Sequence, residues 1–376
     1  MHVGAFVLRI ALAVVVAGVA ACSDPPTPEQ QKEQLGSAIF SDTNLSEPAG
    51  QSCADCHTER RAFSDPESGR TTSAGAVGNR FGARNTPSAM YASRVPAFHV
   101  DKATQEPHGG LFWDGRAGTL EEQAAGPLLN PLEMNNADKA TVVNKVRQSS
   151  YAKQFRQVFG DKSLDDVDQA FAHVTDAIGA YERTPAFAPF SSKYDRYLAG
   201  KATLSDSEKR GLAIFEDPAR GNCASCHPSR PAADGSPPLF TNHGYANLGI
   251  PRYKNSLYLL MPKPLNKAGA EYVDHGLMST TGDPAHDGKF RVPTLRNIAR
   301  TGPYGHNGYF ATVEYFIHFL NTRDVGSPRP AIGTWPAPEV AANVDKTHVG
   351  HLGLSAQDEQ DLVAFLGTLT DGYQAR

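Results

Sequence analysis

The chain has 376 residues, with 36 Lys plus Arg against 40 Asp plus Glu and a formal net charge of −4. That near balance, with no basic run, argues against a nucleic-acid partner. About 350 residues remain beyond the N-terminal segment, enough for two domains with real cores, and the 27 Pro and 34 Gly predict long loops.

The chain opens on an apolar run, Val3 to Ala21, broken only by Arg9. Small residues precede Cys22, so residues 1–21 are expected to be a signal peptide. Cys22 stands where a bacterial lipoprotein carries its lipid, and residues 22–30, with Asp24-Pro25-Pro26-Thr27-Pro28, are expected to be a polar tether. The chain is then exported and periplasmic, touching a membrane only through that lipid. No other stretch is long and apolar enough to span a bilayer.

Two short strings carry most of the chemistry: Cys53-Ala54-Asp55-Cys56-His57 and Cys223-Ala224-Ser225-Cys226-His227. Each is C-x-x-C-H, the attachment signature of a c-type haem. Both thiols bond the porphyrin and the adjacent His ligates the iron. No further Cys pair completes a zinc tetrad, and with all cysteines assigned no disulfide is expected. Gly36-Ser37-Ala38-Ile39-Phe40-Ser41-Asp42 before the first motif repeats as Gly211-Leu212-Ala213-Ile214-Phe215-Glu216-Asp217 before the second. Residues 31–200 and 201–376 are accordingly expected to be two tandem, mostly α, cytochrome c-like haem domains with little β structure.

Helical spacing of apolar residues predicts helices over 140–159, 164–183 and 355–369. Ser205-Asp206-Ser207-Glu208 is a capping box opening the second repeat. The stretches 185–200 and 229–300 are expected to be a linker and long loops.

Phe112-Trp113-Asp114-Gly115-Arg116, the run from Leu120 to Met134, Arg84-Asn85-Thr86-Pro87-Ser88, Val292 to Asn297 and Thr301 to Gly308 together resemble the bacterial diheme cytochrome c peroxidase and MauG family, in the family's order. The resemblance implies roles. Trp113 matches a tryptophan between the two haems. Gln123 and Glu133 match the polar pair over the peroxide-binding haem, where a carboxylate moves a proton between the peroxide oxygens. Pro127 would pack on the same face. Asn85, with the carbonyls of Thr301 and Pro303, matches a calcium site between the domains.

Two departures stand out. Many relatives carry a distal His after the first motif, but no His lies between His57 and His99 here. The first haem is therefore expected to be five-coordinate and open, with His99 and His108 as remote alternatives. The family's Met or Tyr ligand of the second haem, nineteen residues after Thr301, is replaced by Leu320. His318 is the candidate replacement, with a satisfied core His as the competing reading; Met278, His348 and His351 are outside candidates. A His ligand, or none, lowers the haem potential relative to Met. The resemblance thus implies a MauG-like enzyme that uses hydrogen peroxide to form a bis-Fe(IV) state and oxidises an aromatic residue of an exported protein. The alternatives are a cytochrome c peroxidase fed by a small cytochrome or cupredoxin, and a diheme electron carrier without catalysis.

Overall fold

A computed structural model describes residues 24–65, 70–327 and 333–374. The expected signal peptide and Cys22 lie outside them. Among the described residues the helices are α1 (Pro28–Phe40), α2 (Cys53–Cys56), α3 (Leu120–Leu129), α4 (Lys139–Gln148), α5 (Ala152–Phe159), α6 (Val167–Glu182), α7 (Lys193–Leu198), α8 (Asp206–Glu216), α9 (Met278–Thr281), α10 (Val313–Thr322) and α11 (Ala356–Gly367). β structure is confined to two antiparallel pairs: β1 (His99–Val100) with β2 (Pro107–His108), and β3 (Tyr245–Ala246) with β4 (Phe290–Arg291). The fold is mostly helical, as the sequence predicts. No helix among the described residues is long and apolar enough to cross a membrane.

Three boundaries differ from the sequence reading. The helix expected over 140–159 is two helices, because the Ser149 hydroxyl and amide both turn back to the Val146 carbonyl and end α4. α1 begins inside the expected tether, since Thr27 and Gln30 form a capping box and Pro28 takes the first helical position. α7 lies in the expected linker and is itself capped by a Ser192–Asp195 box.

The hydrophobic residues gather mainly in two clusters. The first joins Leu35, Ile39 and Phe40 of α1 to Val174, Ala177 and Ile178 of α6. The second joins Ile214 and Phe215 of α8 to Leu362, Phe365 and Leu366 of α11, and takes in Tyr194 of α7. The repeated glycines explain the likeness of the two crossings. A Cβ on Gly36 would stand 1.9 Å from the Ala177 carbonyl oxygen, and one on Gly211 would stand 2.0 Å from that of Asp361. In each half, then, the helix before the haem motif lies backbone against backbone on a later helix. Each motif follows directly from such a crossing.

The halves are joined by ion pairs. The Arg84 guanidinium donates to both Asp274 oxygens at 2.6 and 2.7 Å and to Asp114 at 2.7 Å. Arg296, held within the second half by a two-point pair with Asp195 at 2.8 and 3.0 Å, packs across on the rings of Tyr91 and Phe190.

Candidate active site: two haem cavities joined at Trp113

In both motifs the histidine is prepared as an iron ligand. His57 Nδ1–H donates to the Phe63 carbonyl at 2.9 Å, and His227 Nδ1–H to that of Phe240 at 2.7 Å. Each bond fixes the tautomer and leaves Nε2 for the metal. Phe63 and Phe240 both adopt left-handed backbone, with φ of 52° and 53°, which turns their carbonyls back to the imidazole. Burial pushes His227 down to about 4 and lowers His57 as well, so both rings are neutral, the ligating form. None of the four motif cysteines is paired in a disulfide, so all are available to bond a porphyrin.

The first cavity has a polar wall. Phe112, Arg116, Glu122, Pro127, Asn130 and Glu133 line it. Burial raises Glu133 above the ordinary carboxylate range, while Arg116 and Asn130 limit the rise. The loop 74–76 ties this wall to the motif: Gln51 Nε2 donates to the Ala74 carbonyl at 2.7 Å, and Ala76 N–H to that of Glu133 at 2.8 Å. Pro127 and Glu133 thus line one pocket. Gln123 does not line this cavity; it sits half-buried one turn before Pro127 on α3, and Glu122 lines the wall instead.

The second cavity is mostly apolar. Cys223, Cys226 and His227 line it, as do Phe316, Ile317 and Leu320 of α10. Its polar walls are unsatisfied in a telling way. Arg291 is half-buried, its Nε donating to the Phe112 carbonyl at 3.2 Å, and no ion pair among the described residues includes it. His243 Nδ1 and both His306 ring nitrogens are buried without a hydrogen bond. An arginine without an ion pair on this wall suits a haem propionate, whose carboxylate would pair with it. The residues present thus fit a haem. Sequence reading missed Arg291, His243 and His306, because their missing partners show only in three dimensions.

Trp113 lines the His227 cavity, whereas Phe112 and Arg116, on either side in sequence, line the Glu133 cavity. Its Nε1–H donates to the Asn85 carbonyl at 2.8 Å, and its own carbonyl accepts from Arg291 N–H at 2.9 Å. Phe112, with φ of 64°, and Gly115, whose added Cβ would meet the Tyr245 hydroxyl at 2.0 Å, hold this tight loop. Arg116 stacks over the Phe112 ring at 3.5 Å.

These features, and the matches to known proteins, settle the family. A family model described as di-haem cytochrome c peroxidase matches residues 30–203. Methylamine utilization protein MauG of Paracoccus denitrificans is 40% identical, with 96% of this chain and 94% of that protein covered. The chain belongs to the diheme cytochrome c peroxidase and MauG family. Cytochrome c551 peroxidase of Nitrosomonas europaea is 32% identical over 81% of this chain and 79% of its own. Among solved structures, the diheme peroxidase BthA from Burkholderia thailandensis superposes with a TM-score of 0.78 at 34% identity, covering 92% of this chain and 89% of that one. A MauG-like protein associated with microbial copper homeostasis gives 0.67 at 34% identity, covering 93% and 91%. As a family member the protein carries two c-type haems and is a peroxidase-type oxidoreductase acting on hydrogen peroxide.

The remaining predicted residues fall as follows. Asn85, Thr301 and Pro303 line one stretch of the second cavity's wall, and Asn85 N–H donates to the His306 carbonyl at 2.7 Å. His318 is corrected. Its Nδ1 lies 2.8 Å from Glu359 Oε1 and its Nε2 2.7 Å from the Ser327 hydroxyl, and it does not line the cavity. On α10 the cavity side is taken by Phe316, Ile317 and Leu320, so His318 faces α11 as a satisfied core histidine. His99 and His108 stack on each other across β1 and β2, each with Nδ1 on a backbone carbonyl.

Proposed function

We propose that this protein is a MauG-like oxidase. It takes two oxidising equivalents from hydrogen peroxide, shares them between both haems, and passes them to an aromatic side chain of an exported protein in the periplasm. The electron balance is simple: peroxide gains two electrons and two protons to give two waters, and the partner loses two electrons. The haem irons supply the redox centres. Glu133 takes the proton from one peroxide oxygen and returns it to the leaving oxygen, Asn130 and Arg116 hold the carboxylate, and Trp113 offers an indole between the cavities. The single observation that supports the reading is Trp113, which lines the apolar cavity, donates to the Asn85 carbonyl, and has its neighbours Phe112 and Arg116 on the polar cavity.

In the same reading the chain divides into two haem domains with the junction before α7, since Tyr194 packs with the second core. Calcium binds through the Asn85 side chain and the Thr301 and Pro303 carbonyls. Because the Asn85 carbonyl also accepts from Trp113, the ion steadies the indole. Export uses residues 1–21, and Cys22 carries the lipid anchor.

The test is an EPR spectrum of the diferric holoprotein before and after stoichiometric peroxide, for wild type and Trp113→Phe. Both ferric signals should vanish in the wild type, and only the high-spin signal in the variant. Identical behaviour of the two proteins overturns the relay, and a wild type that loses only one signal overturns charge sharing. The likeness to cytochrome c551 peroxidase supports the second reading, turnover with a reduced cytochrome; fast steady-state oxidation of such a donor would establish it.

A further inference from the structure

His227 occupies one side of its iron, and the wall built by α10 presents Leu320, which has no donor atom. We propose that His348, from the loop after α10, is the sixth ligand of the His227 haem. The proposal rests on the haem attached at Cys223 and Cys226 and is independent of the charge-sharing reading above.

The candidates narrow by their partners. Among residues lining this cavity, the Tyr304 hydroxyl donates to the Ile298 carbonyl at 2.6 Å, and Met90 Sδ accepts from Asn297 at 3.2 Å. His306 lies flat on the Phe290 ring, 3.6 Å away, with Glu339 at 3.6 Å. His243 belongs to the loop that backs His227: Phe240 takes the His227 proton, and Asn242 N–H donates to the Cys226 carbonyl at 2.9 Å. That places it with the proximal segment.

His348 differs in each respect. It lines the cavity from the segment bound to α10, where Gly350 N–H donates to the Leu320 carbonyl at 2.6 Å and Leu352 N–H to that of Asn321 at 3.2 Å. The loop thus docks its backbone on the helix at the position that lacks a ligand, with an imidazole two residues away that lines the same cavity. Its Nδ1 lies 2.9 Å from Asp345 Oδ2, which fixes the ring and leaves Nε2 as the nitrogen open for a metal. A carboxylate behind an imidazole is the usual support of a metal-bound histidine. The loop is stiff as well. Asp345 Oδ1 accepts from the amides of Thr347 and His348 at 2.8 and 2.9 Å, and Arg323, at the end of α10, donates to the carbonyls of Asp345 and Val349 at 2.6 and 3.0 Å, on either side of His348. Each of these bonds limits the freedom that ligation would otherwise cost.

The experiment is low-temperature EPR and near-infrared magnetic circular dichroism on the diferric holoprotein, with spectroelectrochemical titration. Wild type should show one low-spin haem with bis-histidine character. His348→Ala should lose that signal and gain a second high-spin one, with its haem content unchanged. His348→Met should stay low-spin but show a thioether charge-transfer band and a raised potential, because thioether ligation favours the ferrous state. Asp345→Asn should keep the low-spin haem with shifted g-values. His318→Ala should leave the spectrum as in wild type. A low-spin signal that persists unaltered in both His348 variants overturns the assignment, as does a wild type with two high-spin haems.

Discussion

Around His57 and His227 the protein repeats one device, a helix crossing followed by C-x-x-C-H and a backbone carbonyl that holds the imidazole. The facing walls diverge. The first carries Glu133, Glu122, Arg116 and Asn130, and the second carries Phe316, Ile317 and Leu320. A duplicated frame thus holds two haems alike while the facing wall decides what each can do. A polar wall with a raised carboxylate suits proton transfer to a small ligand, and a mostly apolar wall suits an electron reservoir.

The sharpest way to break this contrast is at Glu133. Glu133→Gln should slow the reaction with peroxide by ~10²–10⁴-fold while leaving the low-spin haem signal untouched, read by stopped-flow absorbance. The sign with pH follows from its role. Glu133 must be ionised to accept the first proton, and burial raises its pKa. The wild-type rate should therefore climb with pH through a limb lying above the ordinary carboxylate range and then level off. The Gln variant should lack that limb. An unchanged limb in the variant would move the proton transfer elsewhere.

A second change acts between the two regions. Arg84 is the cation for Asp274 of the second half and for Asp114, the neighbour of Trp113. Arg84→Met leaves Asp274 buried without a cation and should cost about 3–5 kcal/mol, seen as a lower unfolding midpoint. Burial alone would raise the Asp274 pKa, but the Arg84 bonds outweigh it and hold the carboxyl below 3.8. A depressed carboxylate stabilises above its unfolded pKa, and that contribution is lost as pH falls through the folded value. The gap between wild type and variant should therefore be full at neutral pH and close in acid below 3.8. A gap constant with pH would assign the loss to packing.

How much of this was legible follows from how local each signal is. The C-x-x-C-H strings, the Gly-x-x-Ile-Phe repeat and the Trp113 loop are contiguous, so residue identity alone exposes them. Glu133 and Pro127 were readable by resemblance, since one helix and its following turn carry both. His318 misled because it sits two residues from the expected ligand position, and only the packing of α10 on α11 shows which side it faces. Arg291 carries no sequence signal of its own. Its meaning is a missing anionic partner, and His348 reaches the cavity through a loop that hydrogen bonds, not periodicity, dock on α10.

The smallest expected effects test whether the two crossings are equivalent. Gly36→Ala and Gly211→Ala each drive a methyl into a backbone carbonyl and should cost ~1–3 kcal/mol by overpacking. The crossings differ in what resists a shift of the helices. Around Gly36 the nearby polar tie is Lys32 with Asp176 at 3.3 Å, on half-exposed side chains. Around Gly211 the Asp361 side chain accepts from Ser207 at 2.5 Å and from Arg210 at 2.6 Å, both on α8, so separating α8 from α11 also breaks those bonds. Gly211→Ala should therefore destabilise more than Gly36→Ala. Each change should first disturb the haem of its own half, the low-spin signal for Gly211→Ala and the high-spin signal for Gly36→Ala. Equal losses with both haems disturbed together would mean that the two frames unfold as one unit.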